Sequence, residues 1–368
     1  MIQPELYKWI YLFLVTVLTF VVYPKYKNRN GSTLFNYSET FNIIIVLFFI
    51  FFIGLRPTSG VFSDMKNYAD YYEMTEGMPF SLDLKATNKV FDNLLSFWES
   101  FRLGFNNFCL LCAAIYFGAT YLGVRRLFPE HKLAAYIVFL SAFSTFSYST
   151  NGIKAGAAAA LFILALSYRE NLMKCIPLVL LSWGFHHSMT LPVAALALTH
   201  FYKNPKWYFY GWGLCVVLAF AHVSYFQNLF AGMTDEQGVG YLKGSGETIK
   251  TSVMSGFRID FILYSAMPVL VGYYAEMKKK LDISPMYRTI LHFYLCTNGV
   301  WMLCMYAEFT NRIAYLSWFL YPIVLIYPFL QEDWGENRYR MFAKVMLYHL
   351  AFTLFMEVIY YQFINVVQ

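Results

Sequence analysis

The chain has 368 residues, of which 58% are hydrophobic, 21% aromatic and only 14% charged, with a formal net charge of +6. A soluble domain carries about 25% charged residues, so this depletion, with its repeated long apolar runs, speaks against a soluble fold and predicts an all-α polytopic membrane protein. The excess of base reads as loop asymmetry and not as a nucleic-acid footprint, because no basic run is interleaved with aromatic residues; nucleic acid is excluded as a partner.

In chain order, apolar runs at 7–23, 41–55, 105–123, 133–148, 154–168, 207–223, 259–275, 287–307, 313–330 and 343–363 predict about ten full transmembrane helices, forming a single transmembrane domain over 1–368. The first run has only Lys8 at its start, and Lys25, Lys27 and Arg29 follow it. That is not the layout of a cleaved signal peptide. The short connections 24–36, 124–132, 167–174, 202–206, 278–288 and 331–344 are basic. The positive-inside rule makes them cytoplasmic and leaves the long loops 56–104 and 224–258 extracytoplasmic.

In the first long loop, Val90, Phe91, Leu94, Leu95, Trp98 and Phe101 recur at helical spacing, with Asp92, Asn93 and Glu99 assigned to the opposite face. This predicts an amphipathic helix over 87–103, lying in the outer interface or roofing a cavity. The Gly-rich "MTDEQGVGYLKGSGETIKTS" of the second loop matches no phosphate-loop spacing and reads as a mobile outer loop or lid. "AGAAAALFILAL", from Ala155, predicts a small-residue helix face for close packing.

The apolar stretch 175–199 contains "LSWGFHHSM". Both flanking loops are basic, so an even number of crossings must separate them, yet two spans need about 40 residues. The prediction is a broken, re-entrant pair of short helices over 175–200 with "FHH" at its tip. A single span is the alternative if either flank is not cytoplasmic. Ser182, Gly184, Ser188 and Thr190 mark the break, and Pro192 falls in the first turn of the second half. Irregular backbone at membrane depth needs protein or a wet cavity around it, so His186 and His187 would line one.

The six cysteines, Cys109, Cys112, Cys175, Cys215, Cys296 and Cys304, all lie in or beside apolar runs. The lone CxxC has no partner pair, so they read as packing thiols and no metal site is expected. Four cations stand at helix ends on the outer side, where the charge bias predicts few: Arg56, Lys154, Arg258 and Arg312. A guanidinium fork suits phosphate; the alternatives are snorkelling and pairing with acids such as Asp260 or Glu308. Asp70 reads as solvated and Asp64 as a candidate base. His186 and His187 can take a proton near neutral pH, or simply form a hydrogen-bonded break. His131, His200, His222, His292 and His349 read as packing or interface residues.

Several blocks are similar to one family. "GLRPTSGVFSDMKNYADYY" resembles an Arg-x-x-x-Gly-x-Asp-x-x-x-Tyr element carrying Arg56, Asp64 and Tyr68, its spacing stretched by about two residues. "STNGIKAGAAAALFILAL" resembles an Asn-x-x-Arg-Gln-x-x-Ala element, with Lys154 and Ala155 replacing Arg and Gln. "WGFHHSM" resembles a His-x-Ser block through His186 and Ser188, and "EFTNRIAYLSWFLYPIVL" a late Arg-centred block with Glu308 and Arg312. In these blocks the chain resembles the EpsG family of bacterial polysaccharide-synthesis membrane proteins, related in kind to Wzy O-antigen polymerases. The resemblance implies a multi-pass protein of the bacterial inner membrane with its active site facing the extracytoplasmic side. It implies an inverting glycosyl transfer from a glycan on polyprenyl diphosphate to a hydroxyl of another lipid-linked repeat unit. On that reading His186, then Asp64, is the base. Arg56, Arg258, Arg312, Lys154, Tyr68, His187 and Glu308 bind substrate, and no cofactor or metal is required. The partners are the polyprenyl-diphosphate-linked oligosaccharide, membrane lipid and a chain-length regulator protein. A flippase or transporter of lipid-linked glycan and a membrane O-acyltransferase are the rival readings.

Overall fold

Every regular element among the described residues, 2–28, 37–223, 225–226, 257–307 and 310–362 of this computed structural model, is a helix. Apolar runs permit little else, since backbone polar groups in hydrocarbon must find partners within the segment. The helices are α1 (Leu6–Lys27), α2 (Glu39–Gly54), α3 (Asp64–Thr75), α4 (Lys89–Ser100), α5 (Phe105–Leu127), α6 (Lys132–Leu140), α7 (Thr145–Thr150), α8 (Ile153–Ser167) and α9 (Leu172–Phe185). There follow α10 (Thr190–Phe201), α11 (Pro205–Phe220), α12 (Ile259–Tyr273), α13 (Pro285–Leu303), α14 (Thr310–Trp318), α15 (Tyr321–Gln331) and α16 (Arg338–Leu354). They fall into two units: Met1–His186 with Gly335–Gln368, and His187–Trp334. Among the described residues, four stretches are long and apolar enough to cross a bilayer: Leu6–Lys27, Phe105–Leu127, Thr310–Gln331 and Arg338–Tyr360. α2, α8 and α9 are apolar but have 16, 15 and 14 residues; at 1.5 Å per residue the longest extends about 24 Å, short of a hydrocarbon core of about 30 Å.

In the first unit α5 packs on α2 and α8, α8 on α9, and α1 on α16. The small-residue face works as its composition predicts: Ala157, Ala158, Ala159 and Ala160 are buried, and Ser182 of α9 donates to the Ala158 carbonyl at 2.7 Å. The run 133–148 is not one helix. It breaks between α6 and α7 without glycine or proline, because other side chains take up the carbonyls there. Tyr11 donates to Leu140 O (2.7 Å), Thr353 to Ser141 O (2.8 Å), and His349 Nε2 lies 3.1 Å from Val138 O. His131 likewise packs, its Nδ1 3.0 Å from the Tyr26 hydroxyl. Cys109 and Cys112 are buried in α5.

The amphipathic helix of the outer loop is α4. Phe91 and Leu95 are buried, and α4 lies against α9 and α5. Glu99 departs from expectation: it is 3% exposed, on the buried side, and burial raises its carboxyl pKa against the opposing hydrogen bond from Thr75. The stretch 175–200 breaks where predicted. α9 stops at Phe185, His186 is extended, and a 3-10 turn, His187–Met189, precedes α10 with Pro192 in its first turn. Gly184 has another cause than the break. It lies inside α9, where a Cβ would stand 2.4 Å from Val90 Cγ2, so α4 can seat on α9 only over a glycine.

In the second unit α13 packs against α10, α11, α14 and α15. The run 313–330 is interrupted at 319–320, because Pro322 begins α15 and cannot continue the preceding ladder. Inside lies a polar set that the sequence did not announce. Asn298 donates to Ser265 Oγ (3.1 Å) and Ser317 Oγ (3.0 Å); Trp212 donates to Asn298 Oδ1 (2.8 Å), and Trp318 to Ser265 Oγ (2.7 Å). His292, expected only to pack, stacks on Tyr208 at 4.1 Å and lies 3.8 Å from Glu276 Oε2, while Arg288 holds Glu276 Oε1 at 2.9 Å.

Candidate functional site

In the first unit the start of α3 meets the start of α8. Asn151, just before α8, accepts the backbone N–H of Asp64 at 2.8 Å, capping α3 from another segment. The residue ahead, Ser63, has φ 45° and ψ −103°. A non-glycine residue in that region costs about 1–3 kcal/mol and persists only when its surroundings impose it, which is common where a side chain must be aimed. One turn along α3, Tyr68 faces Phe91 of α4 at 5.7 Å. The Lys154 ammonium lies 6.0 Å from the Tyr68 ring centroid and 5.7 Å from that of Phe91. Asp64, Tyr68 and Lys154 are each partly exposed.

Behind this group stands Arg56. It is fully buried, and its guanidinium donates to Ile53 O (2.8 Å) and Thr150 O (2.6 Å), with the Phe62 ring 5.3 Å away. Both carbonyls lie at helix C-terminal ends, where a cation is favoured. No part of Arg56 reaches solvent, and its guanidinium is taken up by these two carbonyls. It fixes the end of α7 one residue before Asn151, and so sets the cap on Asp64.

α4 closes one side. Asp92 accepts the Asn88 N–H at 3.0 Å. Burial pushes its carboxyl up from the ordinary range, while that hydrogen bond and Lys154 pull the other way. Phe185, the last residue of α9, packs edge-on against Phe91 at 6.4 Å, and Lys89 Nζ lies 5.9 Å from the Trp183 ring. His186 is partly exposed, one residue beyond this contact. Asp70 is exposed, in keeping with a solvated charge.

The other expected residues belong to the second unit. Arg258 is 6% exposed and paired in a fork with Asp260, Nε–Oδ1 2.9 Å and Nη2–Oδ2 2.5 Å, and it stacks 3.8 Å from the Phe261 centroid. The local pairing with Asp260 that the sequence offered as an alternative is present. Arg312 stands partly exposed in the first turn of α14. His187 opens the 3-10 turn, its carbonyl accepting the Thr190 hydroxyl at 2.7 Å. Glu308 and the glycine-rich stretch of the second long loop lie outside the described residues. Phe91 and Asp92, assigned only to faces of an amphipathic helix, and Asn151, read only as part of a motif, turn out to shape the site. The Asn151 hydrogen bond and the Phe91 ring contacts link segments tens of residues apart.

The fold is that of a helical membrane protein with a polar cluster at the ends of α3, α4 and α8. The EpsG family model matches residues 39–367, and the chain belongs to that family. No curated protein and no solved structure matches it. Membership together with the apolar helices makes it a membrane protein associated with polysaccharide biosynthesis.

Proposed function

We propose that the protein is a Wzy-like glycosyltransferase that polymerises polyprenyl-diphosphate-linked oligosaccharides at the extracytoplasmic face of a bacterial inner membrane, with about ten crossings. The acceptor hydroxyl loses its proton to a protein base as its oxygen bonds to the anomeric carbon of the donor glycan. The bond from that carbon to the diphosphate oxygen breaks, the configuration inverts, and polyprenyl diphosphate departs with the electron pair. Such a step asks for a base within hydrogen-bond reach of the hydroxyl and fixed positive charge where the leaving group gathers negative charge.

The observation that carries this reading is the Asn151–Asp64 contact, which brings a partly exposed carboxylate and the Lys154 ammonium to one place. Asp64 is the base in this arrangement and His186 the second candidate. Lys154 receives the diphosphate, with the first-turn N–H groups of α8 adding the positive end of a helix dipole. Tyr68 and Phe91 hold the lysine between rings, and Arg56 is a positioning residue.

The test is purified protein in liposomes supplied with polyprenyl-diphosphate-linked repeat units and no nucleotide sugar, with products resolved on a gel. A ladder that is lost in Lys154→Ala and Asp64→Asn supports the polymerase. Movement of intact substrate between leaflets without a ladder replaces it with a flippase.

A further inference from the structure

The connection between α3 and α4 is tied back onto α4. The Gly77 N–H donates to Glu99 O at 2.9 Å, and the Asn93 side chain holds both backbone groups of Asp83, accepting its N–H at 2.7 Å and donating to its carbonyl at 2.8 Å. Between these ties, residues 78–83 form neither helix nor turn, and Met78, Phe80, Leu82 and Leu84 alternate with Pro79, Ser81 and Asp83. That is the period of a strap with one apolar side. All four apolar residues are exposed, Leu82 at 61% and Leu84 at 71%.

The apolar side continues onto α4. Phe80 meets Phe97 edge-on at 5.9 Å, and Phe97 lies 4.8 Å from Phe101. α4 thus has two apolar sides: Phe91 and Leu95 are buried where it packs on α9 and α5, whereas Phe97 and Phe101 stay open. The chain itself says what covers the open side. Phe101 stands four residues before the start of α5, at most about 14 Å of chain, and the Gly104 N–H between them donates to the Tyr72 hydroxyl at 2.9 Å. α5 has 23 residues, a rise of about 34 Å that only just exceeds a hydrocarbon core of about 30 Å. Phe105 therefore lies at the membrane boundary, and the bilayer that receives α5 is the apolar phase within reach of the Phe80–Phe97–Phe101 row.

We propose that the strap 78–84 and the Phe97–Phe101 end of α4 insert into the lipid leaflet beside α5 as an interfacial anchor. Phe80, Leu82, Leu84 and the two α4 rings enter the boundary between headgroups and acyl chains, and Ser81 and Asp83 remain on the wet side. The driving force is removal of apolar surface from water, which asks for no particular headgroup. The first turn of α4 carries Phe91 and Asp92 of the candidate site, so the anchor holds the other end of that helix at a set depth. The inference does not depend on the glycosyl-transfer reading.

The experiment uses the full chain with Phe80→benzoylphenylalanine in phosphatidylcholine liposomes. Irradiation drives the benzophenone into neighbouring C–H bonds, and the product is weighed by mass spectrometry. An adduct heavier by one phospholipid is expected. The same substitution at Phe13, on the exposed side of the spanning α1, shows that the chemistry reports lipid in this preparation. Adding Leu82→Asp and Leu84→Asp should lower the lipid adduct at position 80 about tenfold or more, because a carboxylate resists entry into hydrocarbon. Ser81→Asp brings the same charge to the other side of the strap and should leave the yield within about twofold. These positions are exposed, so the unfolding midpoint in detergent should stay at the parent value. Lipid labelling at position 13 without any at position 80 overturns the proposal. So does a product joining two copies of the chain, which would make the strap a protein-docking face, or a lipid yield that the paired aspartates leave unchanged.

Discussion

Around Asn298, the side chains of Ser265, Ser317 and Trp318 are buried and join it in a closed set of hydrogen bonds, with Trp212 at its edge. Around Lys154, the first unit gathers an equally polar group, yet Asp64, Tyr68 and Lys154 are partly exposed and the backbone ahead of Asp64 is strained. The two buried arginines differ in the same way. Arg258 is matched by Asp260, whereas Arg56 spends its guanidinium on two backbone carbonyls and so fixes a neighbour of the site. A closed network specifies packing. An open one held in place by a closed anchor can meet a substrate.

That contrast breaks or sharpens at four places. The largest effect is expected at the open cluster: Asp64→Asn should slow chain extension about 10²–10⁴-fold, as loss of a base does, with the unfolding midpoint unchanged. If Asn298→Leu did the same to the rate, the distinction between the clusters would fail. Instead that variant should cost about 2–4 kcal/mol of stability by stranding the Trp212 and serine partners, read as a lower unfolding midpoint in detergent.

Next comes the seat of α4. Gly184→Ala should cost about 1–3 kcal/mol through overpacking, and Val90→Ala should recover much of it if the clash is the cause. The smallest effect is at Asp92. Burial raises its carboxyl pKa, so the charged form weakens the fold above that raised value, and the penalty fades as pH falls through it. Asp92→Asn keeps an acceptor for the Asn88 N–H and should raise the midpoint slightly at neutral pH. The gap to the parent should close in acid, and a gap that widens there would reverse the sign of the burial argument.

Some of this was legible in the sequence. Loop charge and parity predicted the break at 186–189, and apolar spacing predicted α4. Asp64 and Tyr68, one turn apart, and Lys154 were picked out by their blocks, and these three come together. The rest depended on partners remote in the chain. Nothing local marks the break after Leu140, because the hydroxyls that donate to its loose carbonyls stand on α1 and α16. Glu99 was given to the wet face because a helical wheel does not show which neighbours cover it. Arg56 looked available because charge bias counts a cation's side of the membrane, not the carbonyls it already holds.

The same break sets a timetable for biosynthesis. Val138 and Ser141 are made early, but His349 and Thr353, which approach or bond their carbonyls, leave the ribosome only after the whole second unit has been translated. Until then the first unit exists as an unfinished intermediate with open backbone groups near Leu140. A chain ending before α16 would lack the partners of both carbonyls.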